Sequence, residues 1–424
     1  MEWNLGVDGN ENWRIFNGDA LEMLKKFPDE SVNMCVTSPP YMGLRDYGTG
    51  VWIGGDPNCP HFRTSKYSDR MVTGQKTMIE GGHAIGDAIY KKVCPLCGAV
   101  REDKQIGLEE TPEEYIARLA DVFDEVKRVL KKDGTLWVNI GDTYWGSGSK
   151  GTDFTEYFDR SGSKQSTNKG TYDMSNIPKM VGNTGSYKNK DLIGIPWMLA
   201  FELRDRGWWL RQDIIWQKIN PLPSAVTDRC VSSHEYIFLL SKSKNYYFDH
   251  KAIQEDAVGY DASKADVEEI PQESMFEDEE EICYEATEED RAKYKNLAYD
   301  GQRPNTMHER RAQGKKDVQY QKRNKRDVWS VAVKPFNEAH FATYPEKLIE
   351  PCILAGSRKG DVVLDPFNGA ATTGVVCMKN DRKYIGIELN PEYIEISERR
   401  LQAVKEEVEA QKAQYNLFEM GEAI

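Results

Sequence analysis

The 424-residue chain has no run of 18 apolar residues, so its sequence offers no segment suited to crossing a bilayer. Its opening residues, Met1-Glu2-Trp3-Asn4-Leu5-Gly6-Val7-Asp8, have neither the basic start nor the apolar stretch of a secretory leader, and a cytoplasmic location is expected. In such a reducing compartment the eight cysteines are expected to be thiols or metal ligands rather than disulfides. A cationic excess is also missing: 56 Lys and Arg face 69 Asp and Glu, a net charge of −13. That total argues against an anionic partner only if the charges are evenly spread, and they are not. Residues 255–290 hold 16 acids against Lys264 alone, which reads as a solvated tract, while residues 302–326 hold nine Lys or Arg against Glu309 and Asp317.

Against this background the most informative residues are Thr37-Ser38-Pro39-Pro40-Tyr41, which follow the short apolar run Val32–Val36. The run reads as a buried strand ending at a rigid polar turn. Two prolines fix their own φ angles and push Ser38 out of the helical region, so hydroxyl, carbonyl and aromatic ring share one small site. Such a site suits a flat base with an exocyclic amine, although an isolated Ser-Pro-Pro more often just punctuates a strand end.

A second motif, Val362-Val363-Leu364-Asp365-Pro366-Phe367-Asn368-Gly369 through Gly374, reads as strand, acidic turn and glycine-rich loop entering a helix, with both glycines placed for close approach to a ligand. A triphosphate loop would need Lys after the second glycine, and Val375-Val376 follow instead. The next strand, Lys383–Ile387, ends in Glu388, which is positioned to hydrogen-bond ribose hydroxyls. Loop, strand and terminal acid together favour an adenosine site.

Thr37–Tyr41 taken with Asp365–Gly369 resembles the amino-methylating DNA methyltransferases. The target motif precedes the cofactor motif, as in the permuted β class of that family. Protein-glutamine methyltransferases, which carry a related Asn-Pro-Pro-Tyr, have the opposite order. The resemblance implies an α/β fold with a circularly permuted, Rossmann-like class I methyltransferase sheet, S-adenosylmethionine as cofactor and double-stranded DNA as partner. It places catalysis on Ser38, Pro39, Pro40 and Tyr41, and cofactor binding on Asp19, Thr37, Asp365, Phe367, Asn368, Gly369, Glu388 and Asn390. Asp19 would meet adenine, with a plain helix cap as the alternative. Trp216 and Lys218 would hold the extruded base, with core packing of the tryptophan as the alternative. Ser at the first tetrad position is typical of cytosine-N4 methylation; adenine N6 is the alternative, and a catalytically inactive zinc-bearing DNA-binding protein is the reading from another class. A homodimer and a cognate restriction endonuclease are further expectations from the family.

The expected organisation is a catalytic half over residues 1–250, a target-recognition region over 251–333, and a cofactor-binding half with a C-terminal helix over 334–424. Insertions are expected at about 50–105 and 145–190, the latter a mobile loop. The basic cluster lies in the recognition region, where Gln313, Gln319 and Gln321 could read base edges. Thr111-Pro112-Glu113-Glu114 predicts a helix start, Lys131–Gly134 its end, and Thr135–Ile140 the next strand of a parallel sheet. Cys94-Pro95-Leu96-Cys97-Gly98 is a knuckle of the kind that holds zinc, with Cys59 and His61 upstream. These four predict a structural zinc that cross-links the first insertion; His83 is a competing ligand and unliganded thiols are the alternative.

Overall fold

Strands that bury both faces require a helical layer on each side, and the chain builds both layers. The computed structural model describes residues 12–44, 47–63, 88–89, 92–146, 186–221, 223, 226–256, 322–333 and 344–422. In chain order the elements are β1 (Trp13–Asn17), α1 (Ala20–Leu24), β2 (Val32–Thr37), β3 (Val51–Ile53), β4 (Phe62–Arg63), β5 (Ala88–Ile89), β6 (Val100–Glu102), α2 (Pro112–Val129) and β7 (Leu130–Ile140). They continue with α3 (Ile195–Asp205), β8 (Trp209–Lys218), β9 (His234–Ser241), β10 (Glu255–Asp256), β11 (Lys322–Arg323), β12 (Val328–Val331), α4 (Glu346–Gly356), β13 (Val362–Asp365), α5 (Thr372–Lys379), β14 (Lys383–Glu388) and α6 (Pro391–Glu422).

Eight strands form one sheet in the order β1-β14-β13-β2-β7-β9-β8-β12. Every neighbouring pair is parallel except those of β9, which runs antiparallel to both β7 and β8. The expected parallel pairing of β2 with β7 is present, and β9 alone in this sheet runs against its neighbours. Among the described residues no helix separates β8 from β9, so the chain turns back beside its predecessor instead of crossing over.

Side chains alternate between the two faces as the strand period requires. Leu136, Val138 and Ile140 of β7 join the core beneath α1, α2 and α3, whereas Trp137 joins the core beneath α4, α5 and α6. In β14, Ile385 and Ile387 face the first core and Tyr384 the second. Each large apolar side chain buried this way contributes roughly 1.5–3 kcal/mol of transfer free energy.

Helix α2 starts as predicted: Thr111 caps it by accepting the Glu114 amide at 3.2 Å, Pro112 opens the first turn, and Lys127 and Arg128 sit in the last. Its end differs from expectation. Leu130 is already extended, and β7 takes in the Lys131–Gly134 stretch with a register shift against β2 between Val32 and Met34. Asn390 caps α6 through the Glu392 amide at 2.9 Å, and Leu401 is buried beneath it.

The chain forms two units, one of residues 1–253 and 326–424 and a second of residues 254–325. In the second, β10 and β11 pair antiparallel, with ion pairs Lys322–Asp256 and Arg323–Glu255. The basic cluster before Lys322, Gln313, Gln319, Gln321, most of the acidic tract, His83 and most of the 145–190 loop lie outside the described residues. Among the described residues no helix is long and apolar enough to cross a membrane.

Candidate active site

Parallel strands bring their carboxyl ends to one edge, so β2 and β13, paired through Cys35 and Leu364, deliver their following turns side by side. The two turns are joined directly. Thr37 Oγ1 donates to Asp365 Oδ1 at 2.6 Å, and the Phe367 amide donates to the same oxygen at 3.1 Å. The other oxygen accepts from Thr373 Oγ1 at 2.6 Å and from the Tyr344 hydroxyl at 3.1 Å. Asp365 is 1% exposed; burial pushes its carboxyl above the ordinary range, and these donors pull the other way.

Above this junction lies a cavity of about 220 Å³. Ser38, Pro39, Pro40 and Tyr41 line it together with Trp216 and Lys218, and so do Asp19, Phe367, Asn368, Gly369 and Glu388. Eleven of the expected residues therefore share one space. Thr37, Asp365 and Asn390 are not among its lining residues. Asp365 holds the two turns together, and Asn390 caps α6 while its amide reaches the Tyr47 carbonyl at 3.3 Å.

Gly369 has φ +51°, in the left-handed region that favours glycine, and its amide donates to Glu388 Oε2 at 2.8 Å. Gly374 serves the helix instead of a ligand: a Cβ there would come within 2.6 Å of the Tyr384 ring. The Asn368 side chain is also internal, donating to Ser397 Oγ at 2.9 Å and accepting the Tyr384 hydroxyl at 2.7 Å. Asp19 caps α1 by accepting the Glu22 amide at 3.0 Å and also faces the cavity, so the two sequence readings are compatible.

Glu388 ends β14 as expected. The amides of Gly369 and Asn390 reach its two oxygens at 2.8 and 2.9 Å. Burial pushes its carboxyl from 4.5 to about 7, against these donors, and the charge of Asp365 adds to the rise.

Also lining the cavity, Tyr41 donates its hydroxyl to Glu235 Oε2 at 2.7 Å, and Lys218 pairs with Glu235 Oε1. Asn139 Nδ2 also reaches Glu235 Oε2, at 3.3 Å. Burial, then the charge of Glu235, pushes the Tyr41 phenol well above its ordinary value. Trp216 is 3% exposed and donates its indole N–H to the Val331 carbonyl at 2.9 Å; Lys218 lies over its ring. Core packing and cavity lining thus coexist at Trp216. Sequence reasoning did not single out Glu235, Asn139, Tyr47 or Tyr393. The available signal was polarity: Asn139 interrupts the apolar stretch of β7, and Glu235 stands at the start of apolar β9.

Away from the cavity, Cys59, His61, Cys94 and Cys97 converge, with their ligand atoms all within 4.8 Å of one another. Cys59 Sγ and Cys94 Sγ are 3.6 Å apart, and Cys97 Sγ and His61 Nδ1 are 3.6 Å apart. A sulfur pair bonded as a disulfide would be at about 2.05 Å. Two sulfurs on a tetrahedral zinc with Zn–S of about 2.3 Å lie roughly 3.8 Å apart, so the donor set and its spacing fit that ion. The Trp52 ring stacks on His61 at 4.5 Å, and Gly98, with φ +75°, turns the knuckle so that its amide donates to the Cys94 carbonyl at 2.8 Å.

A family model described as DNA methylase, for the N6 and N4 methyltransferases, matches residues 32–399. The chain is 37% identical over 390 residues to the type II methyltransferase M.Cfr9I of Citrobacter freundii, covering 92% of this chain and 87% of the relative. It is 35% identical over 388 residues to the type II methyltransferase M.XycI of Xanthomonas campestris pv. cyanopsidis, covering 92% and 87%. Among solved structures it resembles the cytosine-N4-specific PvuII DNA methyltransferase with a TM-score of 0.47 and 16% identity, over 93% of this chain and 91% of that one.

Proposed function

The chain belongs to the N6/N4 DNA methylase family, and we propose that it methylates the exocyclic N4 amine of a cytosine flipped out of duplex DNA. The observation that carries this reading is that one cavity is lined both by Ser38–Tyr41 and by Gly369 and Glu388. A cavity so lined would give a base and an adenosine-bearing methyl donor a common space. The choice of cytosine over adenine rests on Ser38 at the first position of the tetrad.

S-adenosylmethionine would be held by Asp19, Phe367, Gly369 and Glu388 and, when bound, would supply an electrophilic methyl group on a sulfonium. Glu388 would hold the ribose hydroxyls, Asp19 the adenine and Phe367 the hydrophobic flank, while Thr37 and Asp365 keep the turn in place. The amine lone pair of cytosine is delocalised into the ring, so the protein must favour its pyramidal form. Ser38 Oγ and the Pro39 carbonyl would accept the two amine hydrogens, stabilising the charge that develops as nitrogen attacks carbon. The new N–C bond replaces the S–C bond, and the surplus amine proton leaves to solvent. Tyr41 would stack on the base, a contact worth roughly 1–3 kcal/mol.

The convergence of Cys59, His61, Cys94 and Cys97 supports one structural zinc. Residues 251–333, which include the separate unit of residues 254–325, are the candidate target-recognition region, and a type II relationship suggests a cognate endonuclease. Mass spectrometry of nucleosides from DNA treated with the protein and labelled methyl donor tests the function. N4-methylcytosine is the expected product; N6-methyladenine alone would move the assignment to adenine, and no labelled base would favour a DNA-binding protein without catalysis.

A further inference from the structure

The ribbon of β3 and β6 joins two places with different chemistry. It spans only three residue pairs, and a two-stranded ribbon of that length is marginal in water at best. Beyond Ile53 the chain runs on to Cys59 and His61, and Cys94 and Cys97 lie just before Val100. At the other end, Tyr47 and Thr49 precede β3, and Lys104, Gln105 and Ile106 follow β6; all five line the cavity. One short element therefore connects the candidate metal centre to the candidate active site.

The two cavity-lining segments are fastened differently. Lys104–Ile106 is tied to α2: Arg118 donates to the carbonyls of Lys104 at 2.9 Å and Gln105 at 3.2 Å, and pairs with Glu109 at 2.7 Å. Tyr47–Thr49 is attached to that first segment. The Tyr47 amide donates to Gln105 Oε1 at 2.7 Å, and Thr49 Oγ1 donates to Asp103 Oδ1 at 2.8 Å. Asp103 is in turn held by the Gln105 amide at 3.0 Å and by Arg101 at 2.9 Å, with both charged side chains largely buried. A Cβ at Gly50 would collide with the Arg101 guanidinium, so the segments close tightly there. Across the ribbon Arg101 stands opposite Trp52, whose ring stacks on His61. From Tyr47 the contacts pass to the glycine-loop side: Asn390 Nδ2 donates to the Tyr47 carbonyl at 3.3 Å, and the Asn390 amide donates to Glu388 Oε1 at 2.9 Å.

We propose that the metal ribbon is a working part of the cofactor site. An ion on Cys59, His61, Cys94 and Cys97 closes the ribbon, and the closed ribbon holds Tyr47–Thr49 against Gln105 and Asn390. This rests on the readings of those four residues as zinc ligands and of Glu388 as a group that holds S-adenosylmethionine. Metal occupancy and cofactor affinity are then linked, and such a linkage acts in both directions by one factor.

Calorimetric titration of the full chain with S-adenosylmethionine, zinc-loaded and zinc-stripped, measures one direction. Competition for the zinc by a chromophoric chelator, with and without saturating S-adenosylmethionine, measures the other. Stripping should weaken cofactor binding about tenfold, inside the span of about 5- to 150-fold usual for coupled sites, and saturating cofactor should tighten zinc by the same factor. Circular dichroism should show the main sheet unchanged. Thr49→Val keeps the shape and removes the donor to Asp103. It should keep its zinc, bind cofactor more weakly than the wild type, and lose less on stripping, because both changes act on one attachment. Equal cofactor affinity in loaded and stripped wild type, or full additivity of stripping and Thr49→Val, would overturn the proposal. Were the stripped chain to unfold, the loaded chain decides alone: zinc affinity unmoved by saturating cofactor sinks it. A purified chain without zinc would remove the metal reading, and a loaded chain that binds no S-adenosylmethionine the cofactor reading, either taking the proposal with it.

Discussion

Thr37 and Asp365, 328 positions apart, are joined by a 2.6 Å hydrogen bond between buried side chains. The bond ties the strand end that leads into Ser38–Tyr41 to the strand end that leads into Phe367–Gly369. Asp365 accepts from four groups at once, so its carboxylate works as a clasp beneath the cavity.

Removing one arm of that clasp should be felt in stability. Thr37→Val keeps the shape but leaves a buried acceptor short of a donor, a loss of about 1–3 kcal/mol. Urea unfolding should show a lower midpoint with an unchanged slope.

Ser38→Ala should separate chemistry from binding. Loss of one group that stabilises developing charge typically costs on the order of 100-fold in rate. Calorimetry should record unchanged S-adenosylmethionine affinity, and quench-flow the slower transfer. Equal losses in both would place Ser38 in cofactor binding.

Glu388 predicts a pH dependence. Its folded value is raised from 4.5 to about 7, so the fold is favoured by its protonated form below pH 4.5, and this contribution is lost as pH rises through 7. Ribose hydroxyls prefer the ionised carboxylate, so cofactor affinity should run the other way, rising about tenfold between pH 6 and pH 8 for a single group titrating near 7. Titrations at both pH values should show this rise, and Glu388→Gln should flatten it.

Metal analysis of the purified chain should give one zinc per molecule, lost on Cys94→Ala. Because ligand binding energy is folding energy in such sites, chelation should lower the melting temperature and expose the region around β3 and β6 to proteases before the main sheet. An unchanged melting curve after complete zinc removal would argue for unliganded thiols.

The parts of the fold legible in the sequence were those governed by local chemistry. Thr111 with Pro112 marked the start of α2, and apolar runs ending in Thr37, Asp365 and Glu388 marked strands whose carboxyl ends meet. Less legible were features that depend on a distant partner. The antiparallel direction of β9 follows from what lies beside it, and nothing in His234–Ser241 announces it. Glu235 is an ordinary acid on paper; Tyr41, Asn139 and Lys218 make it part of the site. In the sequence the motif around Asp365 offers a carboxylate to a ligand because it leads into the glycine loop, whereas in the fold its oxygens accept from Thr37 and Thr373.

The pairing of β2 with β13 has a geometric consequence. Adjacent strands in a sheet are held about 4.8 Å apart, so the platforms proposed for the accepting and donating groups are spaced by the same ladder that holds the sheet together. No hinge is needed to bring them into range, and the stretch of chain between them does not have to keep a fixed length. What the chemistry demands is lateral adjacency, which is indifferent to the order in which a ribosome delivers the two strands.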